Sequence, residues 1–267
     1  MSTTSALLTL SRRRLTLSAH TPREIVVPLM TPVLFALVIA PALGKVIGTL
    51  HGGLDYMTFI ALATVGLLIP INTMFAGIGV IVDREGGARR ELLTAPIRRQ
   101  LIVLGNLTVA VMLTSLQIAV LIAAAAARGA KFNVDGSEIG WFIGAVAFLT
   151  IGMYGIAEIL ANRAPSQEAY VGAVPAIAIV PWFFAGSLFP ISTLPSGLTV
   201  IAKILPLTHA LALVRYAFLD HRGTGLHDIW GLSNTNEMAA LSLGVVALFA
   251  LLATFASIKV FERSVRQ

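Results

Sequence analysis

The sequence has no cysteine, which excludes a disulfide framework, a thiolate metal site and a cysteine nucleophile. It is also poor in charge. Only 12% of its 267 residues are Asp, Glu, Lys or Arg, against about 25% in soluble domains. The phosphate-loop pattern G-x-x-x-x-G-K-[ST] is missing, as are G-x-S-x-G and H-E-x-x-H. Those routes to nucleotide binding, acyl transfer and zinc hydrolysis are therefore closed to this chain. The five histidines are scattered, and His221 and His227 share a loop with only Asp220 and Asp228 nearby. No metal site is expected from that. No segment between apolar runs exceeds about 40 residues, too few for a separate soluble catalytic domain.

What is present is apolar. Hydrophobic residues make up 57% of the chain and the mean hydropathy is +0.86. This composition predicts an all-α polytopic membrane protein. A net charge of +6 would point to nucleic acid in a soluble protein. In a membrane protein it points to basic loops on the cytoplasmic side, so lipid and not nucleic acid is the expected partner.

Apolar runs predict six spans, at 25–44, 56–82, 101–127, 139–162, 169–189 and 238–258. Twenty residues of helix measure about 30 Å, one bilayer core. Residues 1–24 carry Arg12-Arg13-Arg14 among leucines at loosely helical spacing, which predicts a helix lying at the interface. Residues 169–202 hold Pro175, Pro181, Pro190 and Pro195 and are too long for one span. The segment 196–219 is apolar yet contains Lys203, Pro206, His209 and Arg215. Charges at mid-bilayer are costly, so a re-entrant or interfacial hairpin fits it better than a lipid-exposed span. Six spans leave most of the lysines and arginines in the segments facing the cytoplasm together with both termini.

Between the second and third spans lies the most polar stretch, residues 83–100, in which Gly86-Gly87 precedes a helix-forming run and Pro96 ends it. A short amphipathic helix here could insert into a cleft of a soluble partner; otherwise it is an ordinary basic loop. Within the spans, Asn72 and Glu158 need partners in an apolar surrounding. Asn72 reads as an interhelical hydrogen bond or a substrate-facing amide. Glu158 reads as a carboxylate reaching Arg163 or as a charge in an inner vestibule. Phe75, Phe183 and Phe184 read as core aromatics or as the lining of a substrate path. Lys203 and Arg215 are expected to pair with lipid phosphates or Asp220, and His209 to be a hydrogen-bonded residue of the hairpin.

Three segments carry a family resemblance. Asp83-Arg84-Glu85-Gly86-Gly87, followed by Glu91-Leu92-Leu93-Thr94-Ala95-Pro96-Ile97-Arg98, resembles the loop of ABC-2-type permeases. Phe183 to Pro195, with Phe189-Pro190 and Leu194-Pro195, is similar to the family's F-x-G-x-x-F-P-x-x-x-L-P. Pro206-Leu207-Thr208-His209-Ala210 through Arg215 is similar to its P-L-T-H-A-x-x-x-x-R. The likeness is greatest to bacterial drug and nodulation-factor exporter permeases, including the daunorubicin-resistance type. It covers almost the whole chain.

The resemblance implies a dimer of six-span permeases, this chain with itself or a close homologue, in the bacterial cytoplasmic membrane. Two separate ABC ATPase subunits would bind ATP and Mg; this chain would hold no cofactor and no catalytic site. It implies that 83–100 is the coupling helix, with Asp83, Arg84, Glu85, Glu91, Leu92, Leu93 and Pro96 at the ATPase and Glu168 in a second contact. It implies that 191–219, with Pro190, Pro195, Pro206, His209 and Arg215, forms an external re-entrant hairpin. The cargo would be an amphipathic drug, lipid or glycolipid moving outward. Two rivals are an ATP-independent secondary carrier, which needs a deep ion-coupling carboxylate, and a lipid-modifying membrane enzyme, which needs a clustered acid/base or metal set.

Overall fold

The structure is a computed structural model that describes residues 3–20, 26, 30, 33–50, 53–87, 94, 100–134 and 136–264. Its helices are α1 (Thr3–Ala19), α2 (Phe35–Ile47), α3 (Tyr56–Glu85), α4 (Gln100–Ala127), α5 (Ile139–Arg163), α6 (Gln167–Phe184), α7 (Ser196–Ile204), α8 (Pro206–Phe218), α9 (Thr224–Trp230) and α10 (Thr235–Ser264). Among the described residues the only β-type pairing is one bridge between Thr49 and Asp55. The protein is an all-α polytopic membrane protein. Helices α3, α4, α5, α6 and α10 are each long and apolar enough to cross a bilayer, and the bent pair α7–α8 would raise the number to six if it were one span.

Helix α3 is the axis of the bundle. Its best apolar window is 78% buried by protein, against 39% for α4 and 33% for α10. The start is set by Asp55, whose carboxylate accepts from the Thr58 N–H at 2.8 Å and the Thr58 hydroxyl at 2.6 Å. Thr58 in turn accepts from the Lys131 N–H beyond α4. The end is set by Gly86 and Gly87, the latter at φ +79°, where a side chain would be strained. Helix α6 is stitched along α3 by the polar tips of its aromatics. The Tyr170 hydroxyl donates to the Met74 carbonyl at 2.6 Å and the Trp182 indole N–H to that of Ala63 at 2.8 Å. Between α5 and α10 the backbones close on each other where a Cβ on Gly155 would meet Ala253. Small residues permit the short separation that makes dispersion effective between helices in lipid.

Several boundaries differ from the expected ones. The described part of the first apolar run is helical from Phe35 to Ile47, past Gly44, and stops at Gly48 (φ +73°). Pro41 lies just inside the α-helical part and does not end it. Residues 25, 27–29 and 31–32 of that run are outside the described residues. Helix α6 ends at Phe184 and not 189, and α10 runs beyond 238–258 at both ends. Pro175 and Pro181 do not break α6. A π-helical turn at Pro175–Ile179 adds a residue where the proline has no N–H to give, and the helix resumes at Val180.

The segment after Pro190 turns through a short 3₁₀ helix at Ile191–Thr193, then α7, then α8, with an 82° bend between the last two. The bend falls at Leu205, before Pro206, which cannot continue the α7 hydrogen bonding. Ile201 and Ile204 of α7 are exposed, whereas every residue of α8 from Leu207 to Phe218 is buried. Ser192 at the entry of this segment donates to Asp228 after its exit at 2.8 Å. The pair therefore leaves and returns at the same end of the bundle, as a hairpin does.

Candidate functional site

Two polar constructions lie at opposite ends of the bundle. The first is at the end carrying Arg84, Arg163 and Arg263, here called the basic end. There Asp83 is held by Arg13 of α1 at 3.1 Å. Arg84 turns the other way. Its two terminal nitrogens donate to the Ala161 and Ala164 carbonyls, both at 3.1 Å, so a cation satisfies the carbonyl end of α5. Among the described residues Glu85 pairs with Arg84, at 3.9 Å, and it is half exposed. Adjacent residues of one motif thus tie α3 to α1 and to α5 and leave one carboxylate facing outward. Glu91, Leu92, Leu93 and Pro96 lie outside the described residues.

Behind this lies a buried polar group. Glu158 is 1% exposed and accepts from the Tyr154 hydroxyl and the Asn162 amide, each at 3.0 Å. Asn162 in turn accepts from Ser264 of α10. Glu158 therefore does not reach out to Arg163; its i, i+4 neighbours on one face of α5 satisfy it. That spacing, Tyr154, Glu158, Asn162, is readable in the sequence as a polar stripe but was not among the expected contacts. Arg14 is buried against Gly79, where any Cβ would fall on its guanidinium. Helix α1 thus buries Ala6, Ser11 and Arg14 and leaves Leu8 and Leu17 exposed. Asn72 does not make the interhelical hydrogen bond expected of it. Among the described residues neither polar atom of its buried amide has a partner, and it lines a cavity of about 30 Å³ with Arg14, Phe75 and Gln117.

Phe183 is half exposed, with its ring 5.2 Å from that of Trp182, and Phe184 is partly buried. Neither is brought together with Asn72, Phe75 and Glu158, so the expected substrate-path residues do not form one surface within this chain. Glu168 is exposed in the first turn of α6, after Ser166, whose hydroxyl caps that helix at Ala169.

The second construction is at the far end. Arg215 does not reach lipid phosphates. It is buried, its terminal nitrogens donate to the Gly186 and Ser187 carbonyls at 2.9 Å each, and its guanidinium carbon lies 3.4 Å from the centre of the Phe59 ring. The carbonyls come from a turn that needs glycine, since Gly186 sits at φ +74° and a Cβ there would strike Ile191. His209 is buried and hydrogen-bonded. Its ring nitrogens lie 3.2 Å from the Ser242 hydroxyl and 3.0 Å from the Lys203 carbonyl. Lys203 itself is exposed.

Asp220 lies beside Arg215 and accepts from the Thr224 hydroxyl and the Gly225 N–H. Burial pushes its carboxyl above the ordinary aspartate value, against the pull of those hydrogen bonds and of the Arg215 charge. Together Arg215, Asp220 and Asp228 line a cavity of about 460 Å³ that also reaches Pro190. Sequence reasoning did not find it, because its walls come from four separate segments.

Comparison with known proteins follows the same outline. A family described as "ABC-2 type transporter" matches residues 5–219. Nodulation protein J of Sinorhizobium fredii is 24% identical over 223 residues, 83% of this chain and 79% of that protein. Nodulation protein J of Neorhizobium galegae is 25% identical over 92% of this chain and 88% of that protein. A putative transport permease, ycf38, of Pyropia yezoensis is 26% identical over 63% of this chain and 62% of that protein.

Proposed function

The chain belongs to the ABC-2 type transporter family, and from that premise we propose that it is the membrane-spanning permease subunit of an ATP-driven exporter of amphipathic molecules. Separate ABC ATPase subunits would bind ATP and Mg and press on the 83–100 segment. One observation carries the reading. Asp83 and Arg84 brace α3 against α1 and α5, while Glu85, at the entry to the 83–100 loop, is left half exposed. A partner pushing on that loop would move three helices at once. ATP can shift the two access states only through contacts that differ between them, and this segment is the candidate for those contacts.

In this reading the protein sits in the bacterial cytoplasmic membrane with both termini inside, and the α7–α8 hairpin is external. It pairs with a second permease, itself or a close homologue. An ATP-independent carrier is the rival that Glu158 would favour, as a buried carboxylate within a span. Its oxygens already accept from Tyr154 and Asn162, which fits a structural role.

The deciding experiment is co-purification of the full chain with a co-expressed ATPase encoded beside it, followed by vesicle transport. The wild type is expected to retain the ATPase and to need ATP. Glu85→Lys, Glu91→Arg and Leu93→Asp are each expected to release it while the permease stays folded. Transport that survives all three substitutions, or runs without ATP, would overturn the proposal.

A further inference from the structure

The far-end cavity has the makings of a ligand site in its own right. Its volume of about 460 Å³ falls in the range of small-molecule pockets, roughly 300–1,000 Å³. Most of its wall is apolar, with Leu54, Phe59, Phe189 and Ile191 among the lining residues. The polar groups are few and they converge. Among the described lining residues Arg215 is the only lysine or arginine, and each of its terminal nitrogens donates to a carbonyl of the Gly186-Ser187 turn. Two carboxylates remain. Asp228 has one oxygen taken by the Ser192 hydroxyl, and Asp220 has one oxygen taken by Thr224 and Gly225.

A second observation points the same way. Thr208 also lines the cavity, is 3% exposed, and among the described residues its hydroxyl has no hydrogen-bond partner. An unpaired buried hydroxyl is destabilising, and a ligand atom bonded to it would remove that cost.

We propose that this cavity binds the head of an amphipathic ligand bearing a protonated primary amine. The ammonium would donate to the free oxygens of Asp220 and Asp228, and the body would lie on Phe59 and Phe189. An anionic head would meet two carboxylates against a single arginine, whose guanidinium lies over the Phe59 ring. That such a ligand is cargo rests on the permease reading above; that it binds does not.

The test uses the full chain in lipid nanodiscs without ATPase. Three probes share one dansyl-tagged pentyl chain and end in a primary amine, its N-acetyl derivative or a carboxylate. The amine is expected to bind saturably and at least about tenfold more tightly than the other two, a difference of about 1.4 kcal/mol. Asp228→Asn is expected to weaken the amine about tenfold and to leave the N-acetyl probe unchanged. Should Asp228→Asn lower the melting midpoint, Thr208→Val takes its place. Its hydroxyl has no protein bond to lose, so the melt should hold while amine affinity falls several-fold. Equal binding of all three probes, preference for the carboxylate, or amine binding indifferent to a folded variant overturns the proposal. Loss of ATPase co-purification with amine binding intact overturns only the permease reading, and the reverse outcome overturns only the cavity.

Discussion

Arg84 and Arg215 make the same kind of contact at opposite ends of the molecule, each closing two backbone carbonyls that have no other donor in view. They differ in exposure. Arg84 is partly solvent-facing, so Arg84→Ala should cost only about 1 kcal/mol. It should show as faster amide exchange over residues 160–164 in hydrogen-exchange mass spectrometry. Arg215 is buried, and Arg215→Met leaves two carbonyls unsatisfied at about 1–3 kcal/mol each. Its melting midpoint should fall by several degrees, further than that of Arg84→Ala. Asp220 adds a pH signature. Because its folded value is raised, the fold favours the protonated form. The stability it contributes is full at low pH and is lost as pH rises through that raised value. Asp220→Asn should flatten this slope, compared with wild type across melts between about pH 4 and 7. A steeper slope in the variant would contradict the burial argument.

At the scale of elements, the sequence made existence plain and left shape obscure. Five apolar runs announced α3, α4, α5, α6 and α10, because lipid tolerates little else over twenty residues. The prolines left local form open. The expected span 169–189 runs through Pro175 and Pro181, and a π-turn absorbs one while the other opens the resumed helix, an accommodation decided by neighbours. The bend at Pro206 was legible, since lysine, proline, histidine and arginine in one short run argued against a straight span. The partner of Arg215 was not, because it is a turn more than two dozen residues earlier. Close packing was equally hidden. A Cβ at Gly77 would fall on the Tyr170 hydroxyl. Gly77→Val should therefore part α3 from α6, lower the melt, and raise the accessibility of a cysteine placed at the buried Val174 of α6. Unchanged labelling would mean that α6 is not held by this contact.

For the whole molecule, the legible part was the class, an all-α polytopic membrane protein, which follows from composition. The illegible part was every assembled surface. The basic-end brace joins residues 13, 83, 84, 161 and 164, and the far cavity draws on four segments; nothing local marks either. The brace between Arg13 and Asp83 predicts that Arg13→Asp and Asp83→Arg each weaken ATPase retention and that the double swap restores part of it. The pair is partly exposed, so its coupling in a melt-based cycle should stay below about 1 kcal/mol. Helix α3 joins the two ends. Capped by Asp55 at one end and pinned by Asp83 and Arg84 at the other, its thirty residues form a rod of about 45 Å. A rod of that length converts angle into distance. A tilt of roughly 5° about one end carries the other end roughly 4 Å, more than a hydrogen bond can stretch. Any motion imposed at residue 83 must therefore leave the far end of α3 still, flex the helix at Pro70, or break and remake contacts around Tyr56 and Phe59.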